Sequence, residues 1–573
     1  MRLITLHCDY IKFKPLKKAL KSIDDIKDLA GKDIKEPLVV LTAVEHGDDA
    51  TTLQQYVDAI TKTATDVKAT NIVLYPYAHL SSQLADPTSA QKMLIDAEAT
   101  LTKAGLKVTR APFGYYKEFE LKCKGHPLSE LSKEFRNATQ QAQAPKQTVK
   151  KPQQTSGKII LDRRNLPPHD HRILGEDLQI FFLSDDVGPG LPLWLPKGEV
   201  IRNTLIQFMR TKEESYGYQY VSTPHITKGL LYEKTGHLPH YAETMFAPIN
   251  VDGIDYYLKP MNCPHHHQIF EKLVKSYRDL PYRLAEAGTV YRNELSGVTY
   301  GLTRVRALTQ NDAHIYCTKA QLQNEMKQVL TLTKEVLNAT GMKEFWYRLS
   351  LPDFTKNPEK FTGDQKMWAQ AAQDIEKVLK ASKEKFVIGE GEAAFYGPKI
   401  DIQIKNAHGK EESLATIQVD IVVPQRIGLT YVNEKGEKEV PVIIHRAPLG
   451  SYERFISFLL EQTKGNLPLW LAPVQIKIIS FTDKNNASVE KLQKQLKAQI
   501  PGLRVEIDLR NETVQAKIRD AEVMKIPYAL VIGDKEEANN TLAIRPHGAK
   551  KPDFGVKMKD FVKQLTQELE NKQ

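Results

Sequence analysis

What this 573-residue chain lacks narrows its chemistry first. It has four cysteines, Cys8, Cys123, Cys263 and Cys317, too few and too scattered for a disulfide framework, which points to a reducing compartment. No run of about 18 apolar residues occurs, so no segment is expected to span a membrane. The opening MRLITLHCDYIKFK alternates polar and apolar residues like a strand and has no signal-peptide apolar stretch, so a cytoplasmic protein is the expectation. There is no GxxxxGK[ST] loop and no GxGxxG fingerprint. A nucleotide bound here must have its phosphates held by something other than glycine-rich backbone. No internal repeat is found.

What is present is ordinary in bulk. Hydrophobic residues make up 41% and charged residues 26%, the balance of a folded globular protein. The net charge of +10 leans toward anionic partners, nucleic acid above all, although so mild an excess suits any slightly basic enzyme equally. A chain this long outgrows one hydrophobic core and should form three or four domains of roughly 150 residues. One boundary is plain. Residues 138–159 contain ATQQAQAPKQTVKKPQQTSGK, without an acidic or aromatic residue, which cannot bury enough apolar surface to fold and reads as a flexible basic linker.

Before the linker, residues 1–137 read as an α/β unit. Its strand-like runs are Ile4–Leu6, Pro37–Val44 and Asn71–Tyr77, and a helix from Ser89 to Lys103 aligns Met93, Leu94, Ala97 and Leu101. After it, residues 160–470 read as an α+β region. There a helix from about Val200 to Arg210 carries Ile201, Leu205, Phe208 and Met209 on one stripe, and a strand Tyr218–Thr223 is closed by Pro224. Residues 471–573 change rhythm. Strands Val474–Ser480, Arg504–Leu509 and Tyr528–Gly533 alternate with helices, one aligning Val489, Leu492, Leu496 and Ile500, the other spanning Asn511–Lys525, a small βαβαβ domain.

Two segments offer a grip on phosphate. Tyr291-Arg-Asn-Glu294 and Thr303-Arg-Val-Arg306 flank a turn containing Gly297 and Gly301. On a hairpin, Arg292 and Glu294 would share a face, as would Arg304 and Arg306, and arginine binds phosphate in planar, multidentate fashion. The second is His445-Arg-Ala-Pro-Leu-Gly-Ser-Tyr-Glu-Arg454, leading into an apolar helix. Read alone, the first could be a solvated hairpin with surface ion pairs.

Helix–strand–Pro224, then Arg-x-Glu with its loop, then Gly-x-x-x-Arg454, in that order, resembles the three motifs of class II aminoacyl-tRNA synthetases. The stretches LYEKTGHLPHYAETMF, LKPMNCPHHH, YRNELSGVTYGLTRVRALTQNDAHIYC, AAFYGPKIDI and VIIHRAPLGSYERF are similar to the catalytic domain of threonyl-tRNA synthetases. The resemblance implies a multidomain α/β and α+β protein with an antiparallel-sheet catalytic core that joins threonine to tRNA(Thr) using ATP with Mg²⁺. It implies that Arg292 and Arg454 grip ATP phosphates, that Glu294 places the nucleotide, and that Gln418 contacts ATP. Leu308 departs from the phenylalanine many relatives use to stack on adenine. Cys263, His314 and His445 match a Zn²⁺ site, one ion per subunit, whose open position threonine would fill. Gln310, Asp312, Tyr396 and Lys399 match positions around the amino acid, with Asp312 an acceptor for the threonine hydroxyl. The run His265–His267 reads as a helix start, not as metal ligands, and Cys317 as an inert buried thiol. The helix and strand before Pro224 imply a homodimer.

A metal that recognises an amino alcohol cannot exclude serine, whose missing methyl is worth only about 1–3 kcal/mol. A hydrolytic second site is therefore expected. The runs HCDYIKF, YPYAHLSSQLA and APFGYYKEFELKCKGHPLSEL resemble the archaeal-type editing domain, which is like a D-aminoacyl-tRNA deacylase. That match assigns His79, Tyr116, Lys117 and Glu130 to removal of serine from tRNA. The C-terminal region resembles the family's anticodon-binding domain, implying base contacts by Asn511, Glu536 and Arg545.

Overall fold

The computed structural model describes residues 1–20, 23, 26, 30–81, 84–125, 128–135, 161–295, 297–355, 361 and 364–572, without the side chains of residues 79, 239 and 240. The basic stretch 138–159 lies outside the described residues. The chain divides into two compact units, Met1–Thr155 and Ser156–Gln573.

In the first unit, strands Lys32–Lys35, Arg2–Lys18, Pro37–Ala43, Asn71–Pro76 and Lys107–Arg110 form the sheet in that order, and Tyr115–Cys123 and Glu130–Glu134 also pair with Arg2–Lys18. The opening strand runs far beyond the expected Ile4–Leu6 because each half finds partners. Its first residues pair with Pro37–Ala43 and Glu130–Glu134, and its later ones with Lys32–Lys35 and Tyr115–Cys123. Helices Ala50–Asp66 and Pro87–Lys103 cover the sheet, burying Tyr56, Ile60, Leu94, Ala97 and Leu101 against Leu38, Val40, Ile72 and Leu74. The second helix starts two residues before Ser89, where Asp86 accepts from the N–H groups of Thr88 and Ser89 and Pro87 occupies the first turn.

The second unit is built on an eight-stranded sheet ordered Gln219–Tyr220, Tyr282–Tyr291, Ala307–Cys317, Val442–Ala447, Glu411–Asp420, Lys399–Lys405, Trp346–Leu351 and Phe386–Glu390. Its pairings are antiparallel except at the two edges. The helix expected over Val200–Arg210 spans Pro196–Ser215 and buries Ile201, Leu205 and Met209, while Phe208 is half-buried against Trp470, ring centroids 4.8 Å apart. Its Glu213 makes a fully buried ion pair with Arg446 of the sheet and accepts from Asn311 Nδ2 at 3.0 Å. The strand expected over Tyr218–Thr223 shrinks to Gln219–Tyr220. Thr223 gives its N–H to the Glu286 carboxylate at 2.8 Å instead of to a strand, and Pro224 has none to give.

The C-terminal sheet is ordered Val505–Asp508, Ile476–Ser480, Tyr528–Ile532, Leu542–Pro546 and Asp553–Val556. The first three strands are parallel, as the βαβαβ rhythm requires. The last two, antiparallel, and the closing helix Met558–Asn571 extend that pattern. No helix among the described residues is long and apolar enough to cross a membrane.

Candidate active site

Strand register brings the expected residues into one row. Lys399 stands opposite Gln418, Gln418 opposite His445, and His445 opposite His314. Alternate residues of a strand share a face, so Gln310 and Asp312 stand on the same side as His314. Cys263, at the start of helix Cys263–Leu273, joins them. Its Sγ and one ligand atom each of His314 and His445 lie within 4.8 Å of one another. Tyr396 gives its hydroxyl hydrogen to Gln418 Oε1, and its ring lies 5.3 Å from that of His445. Asp312 accepts from Asn262 Nδ2 at 3.0 Å, and Lys399 Nζ donates to Asp401 at 2.9 Å. All of these except Asn262 and Asp401, together with Arg292, line a cavity of about 660 Å³.

The histidines of this set are oriented from behind. His445 Nε2 faces Asp420 Oδ2 at 3.0 Å. His314 Nδ1 faces His266 Nδ1 at 2.8 Å, and His266 Nε2 in turn reaches Glu286 at 3.3 Å. Burial pushes the Glu286 carboxyl up, but His266, Lys259 and the Thr223 N–H outweigh it and hold that group at about 2. Burial, then His445 and His266, push His314 well below the usual histidine range, which keeps it neutral. Burial, then Asp312 and Asp420, push the Cys263 thiol well up. Its proton therefore leaves only for a cation in its place. His265, His266 and His267 are all buried in the start of the helix, and His267 Nδ1 faces the Tyr316 hydroxyl at 2.9 Å. His237, whose Nε2 lies 3.4 Å from Cys263 Sγ, escapes sequence reading, because a lone histidine after a glycine carries no local signal.

A second cavity of about 680 Å³ adjoins the first through Arg292, which lines both. The hairpin expected here is present, but its strands end at Tyr291 and begin again at Ala307. Arg292, Glu294, Arg304 and Arg306 therefore lie in the connecting loop, and strand alternation does not set their directions. Glu294 pairs with Arg304 at 2.8 Å, while its carbonyl accepts from Arg306 Nε at 2.9 Å. Arg454 enters from helix Tyr452–Thr463. Its guanidinium donates to Ser413 O at 2.8 Å, Thr303 O at 3.0 Å and Glu412 at 3.0 Å. Leu308 lines this cavity as well.

Three family models match the chain. The Archaea-specific editing domain of threonyl-tRNA synthetase covers residues 1–135, the tRNA synthetase class II core domain (G, H, P, S and T) covers 249–463, and an anticodon binding domain covers 471–568. The crystal structure of the RNA binding domain of threonyl-tRNA synthetase from Cryptosporidium parvum Iowa II is similar with a TM-score of 0.65 and 35% identity, over 70% of this chain and 98% of that one. The chain belongs to the threonyl-tRNA synthetase family. The threonine–tRNA ligase of Chlorobium chlorochromatii (strain CaD3) is 46% identical over 410 residues, 70% of this chain and 62% of the relative. That of Thermus thermophilus is 47% identical over 380 residues, 66% of this chain and 57% of the relative. The chain thus spans less than two thirds of the length of these curated relatives.

Within this threonyl-tRNA synthetase family chain, the first unit carries its own cavity of about 560 Å³, lined by Thr42, Tyr75, Tyr77, Tyr116 and Lys117 among others. Lys117 Nζ donates to the carbonyls of Pro112 and Tyr115 at 2.9 Å each and lies 5.2 Å from the Tyr75 ring centroid. Burial lowers its ammonium to about 8. Tyr116 is exposed. Glu130 lies on strand Glu130–Glu134, opposite Leu6, and is not among the residues lining this cavity. The side chain of His79 lies outside the described residues. In the C-terminal sheet, exposed Asn511 follows strand Val505–Asp508, and Glu536 follows Tyr528–Ile532 and caps the Gly533 N–H at 3.1 Å. Both lie beyond the carboxyl ends of parallel strands, where α/β sheets bind ligands. Arg545 stands opposite Ala529, near the other end of Tyr528–Ile532, 3.4 Å from Glu522.

Proposed function

We propose that the chain is a threonine–tRNA ligase, making threonyl-adenylate from threonine and ATP and passing the threonyl group to tRNA(Thr). The observation that carries this reading is the buried Cys263–His314–His445 set, which shares a sheet face with Gln310 and Asp312 and meets an arginine-lined cavity at Arg292. The donors suit Zn²⁺: one thiol whose proton only a cation displaces, and two imidazoles each oriented by a partner, leaving a coordination position open. Bound there, zinc would supply a Lewis-acid anchor for the amino and hydroxyl groups of threonine, which valine could satisfy only in part.

The chain's own residues do the rest. Asp312, held by Asn262, accepts from the threonine hydroxyl. Gln418, fixed by Tyr396, and Lys399 bound the pocket on the side of the adjoining strands. As a threonine carboxylate oxygen attacks the α-phosphorus of Mg²⁺-bound ATP and pyrophosphate departs, Arg292 and Arg454 stabilise the charge that develops. Glu294 holds the loop between them through Arg304. In this reading, residues 160–470 activate threonine, 471–573 read the anticodon through Asn511, Glu536 and Arg545, and 138–159 tether residues 1–137. That first domain hydrolyses seryl-tRNA(Thr) with His79, Tyr116, Lys117 and Glu130. A cytoplasmic homodimer fits. Ile226, Ile249, Val251 and Ile254, exposed on the small sheet Ile226–Lys228, Ile254–Leu258, Ile249–Val251, offer apolar surface for a second copy.

Amino-acid-dependent ATP–pyrophosphate exchange, run with metal analysis of the same sample, tests this. Threonine should drive exchange far better than valine, in protein holding about one zinc per chain. Metal-free protein that exchanges fully, or valine used as well as threonine, would end the proposal.

A further inference from the structure

A second group of buried polar side chains has no place in the chemistry above. Asp170, His171 and Glu461 bring their ligand atoms as close together as the metal-type set does, yet every ring nitrogen and carboxylate here has a protein partner. His171 Nδ1 lies 2.6 Å from Glu461 Oε1, and His171 Nε2 accepts the backbone N–H of Leu302 at 3.2 Å. A backbone N–H can only donate, so the ring proton sits on Nδ1 and points at Glu461. Glu461 Oε2 accepts the N–H of Ala407 at 2.7 Å. Asp170 accepts from the Arg172 guanidinium through both oxygens at 2.9 Å and from the Tyr300 hydroxyl at 3.2 Å, with His408 Nε2 3.4 Å away. The Arg172 guanidinium lies 3.9 Å over the Tyr300 ring. This is a closed network, not a vacant cation site.

What it joins is telling. Leu302 and Tyr300 belong to the loop that carries Arg292, Glu294 and Arg304. Glu461 belongs to the helix that carries Arg454. Ala407 and His408 belong to the turn between strands Lys399–Lys405 and Glu411–Asp420. Tyr300, His408 and Glu461 line the arginine-rich cavity itself. Contact is close enough that a Cβ on Gly301, which has φ +50°, would fall 2.1 Å from His171 Nε2. Without Leu302 and Tyr300 fastened, the loop between Tyr291 and Ala307 has its own internal pairs. Among the described residues, its middle is then hydrogen-bonded to the helix only by Arg454 to Thr303 and Thr303 to Ser457, with Leu302 held in the apolar core that Phe455 and Leu459 share.

We propose that Asp170 and His171 are positioning residues for ATP: they latch the arginine loop to the Arg454 helix and the Ala407 turn, so that Arg292, Arg304 and Arg454 face one nucleotide. The inference rests on the ligase reading for the identity of the nucleotide. Neither residue touches the reacting atoms. Their effect should therefore fall on ATP and spare threonine, whose pocket is built on the sheet.

The test uses the full chain. His171→Ala should raise the KM for ATP about tenfold or more in pyrophosphate exchange, leave the KM for threonine within about twofold, and lower kcat less than it lowers ATP affinity. His171→Gln, whose Oε1 can accept from Leu302, should recover most of the ATP affinity. Tyr300→Phe, which removes only the hydroxyl shared by Asp170, Arg172 and His408, should raise the KM for ATP severalfold, and it carries the test if His171→Ala fails to fold. An unchanged KM for ATP in folded His171→Ala or Tyr300→Phe, or a loss falling equally on ATP and threonine, overturns the latch. Calorimetric ATP binding separates the two claims. Wild-type chain that binds ATP but shows no threonine-dependent exchange refutes the ligase reading, while the variants' weaker ATP binding still supports the latch.

Discussion

Lys117 gives the sharpest quantitative test of the first unit. Its ammonium is half-buried beside Tyr75 with two carbonyls as its hydrogen-bond acceptors, and that partial burial lowers it from 10.5 to about 8. If the charged form stabilises negative charge on the ester being cleaved, the rate should follow the ammonium population. At pH 7 about nine tenths of Lys117 is charged, and at pH 9 about one tenth, so hydrolysis of seryl-tRNA should fall about tenfold between them. The measurement is decay of preformed seryl-tRNA, with the uncatalysed ester hydrolysis at each pH subtracted. Lys117→Arg should flatten the profile, and Lys117→Ala should let seryl-tRNA accumulate while threonine activation is unaffected. The same shift carries a stability sign. The unfolded lysine holds its proton up to about 10.5 and the folded one only to about 8, so the first unit should gain stability as pH rises between those values. A profile that is level from pH 7 to 9, or that breaks only near 10.5, refutes the reasoning.

Three further outcomes follow from described contacts. Glu213→Gln leaves the Arg446 guanidinium buried without a counter-charge and should destabilise the second unit by about 3–5 kcal/mol, read from urea unfolding of the full chain; a loss below about 1 kcal/mol would mean that water or a rearranged neighbour takes the charge. His266→Ala removes the partner of His314 without touching a ligand atom and should weaken zinc retention about 10–100-fold in a chelator competition, whereas unaltered retention would show that His314 needs no support. Arg454→Ala should lower kcat/KM for exchange by about 10²–10³-fold with helix content by circular dichroism unchanged, and a merely additive loss with Arg292→Ala would argue against a shared phosphate.

The parts of this molecule legible in sequence are those set by local pattern. The stripe Ile201–Leu205–Met209 and the row Val489–Leu492–Leu496 fold as helices where their period puts them, because burying an apolar face needs only the helix itself and a neighbour. Strand lengths were less legible. Arg2–Lys18 is long and Gln219–Tyr220 short because partners elsewhere in the chain decide, the Glu286 carboxylate among them. At the site, resemblance supplied the residues and register supplied the reason. Nothing in the local sequence relates Cys263 to His314 or His445: the two histidines meet through pairing between Ala307–Cys317 and Val442–Ala447, and Cys263 joins them from the start of helix Cys263–Leu273. The charged pairs around Gly297 read as a strand face but fold as a loop, and Arg304 finds Glu294 by turning back across it. His171 and Asp170 gave no signal at all, because an ordinary helix start conceals partners more than a hundred residues away.

Register has one more consequence. Lys399, Gln418, His445 and His314 are consecutive rungs on four adjoining strands, and the irregularity in that region, between Ile402 and Gln403, falls beyond the rung that Lys399 occupies. Lengthening the turn between strands Tyr431–Val432 and Lys438–Glu439 should therefore be silent, whereas one added residue inside a strand of the row, between a turn and its rung, would turn that strand's contribution to the opposite side of the sheet. A library of single-codon insertions scanned across 399–447 should come back banded, dead over the rungs and at the latched Ala407 turn and alive at the bend between Val432 and Lys438, tracing the pocket without any ligand in it.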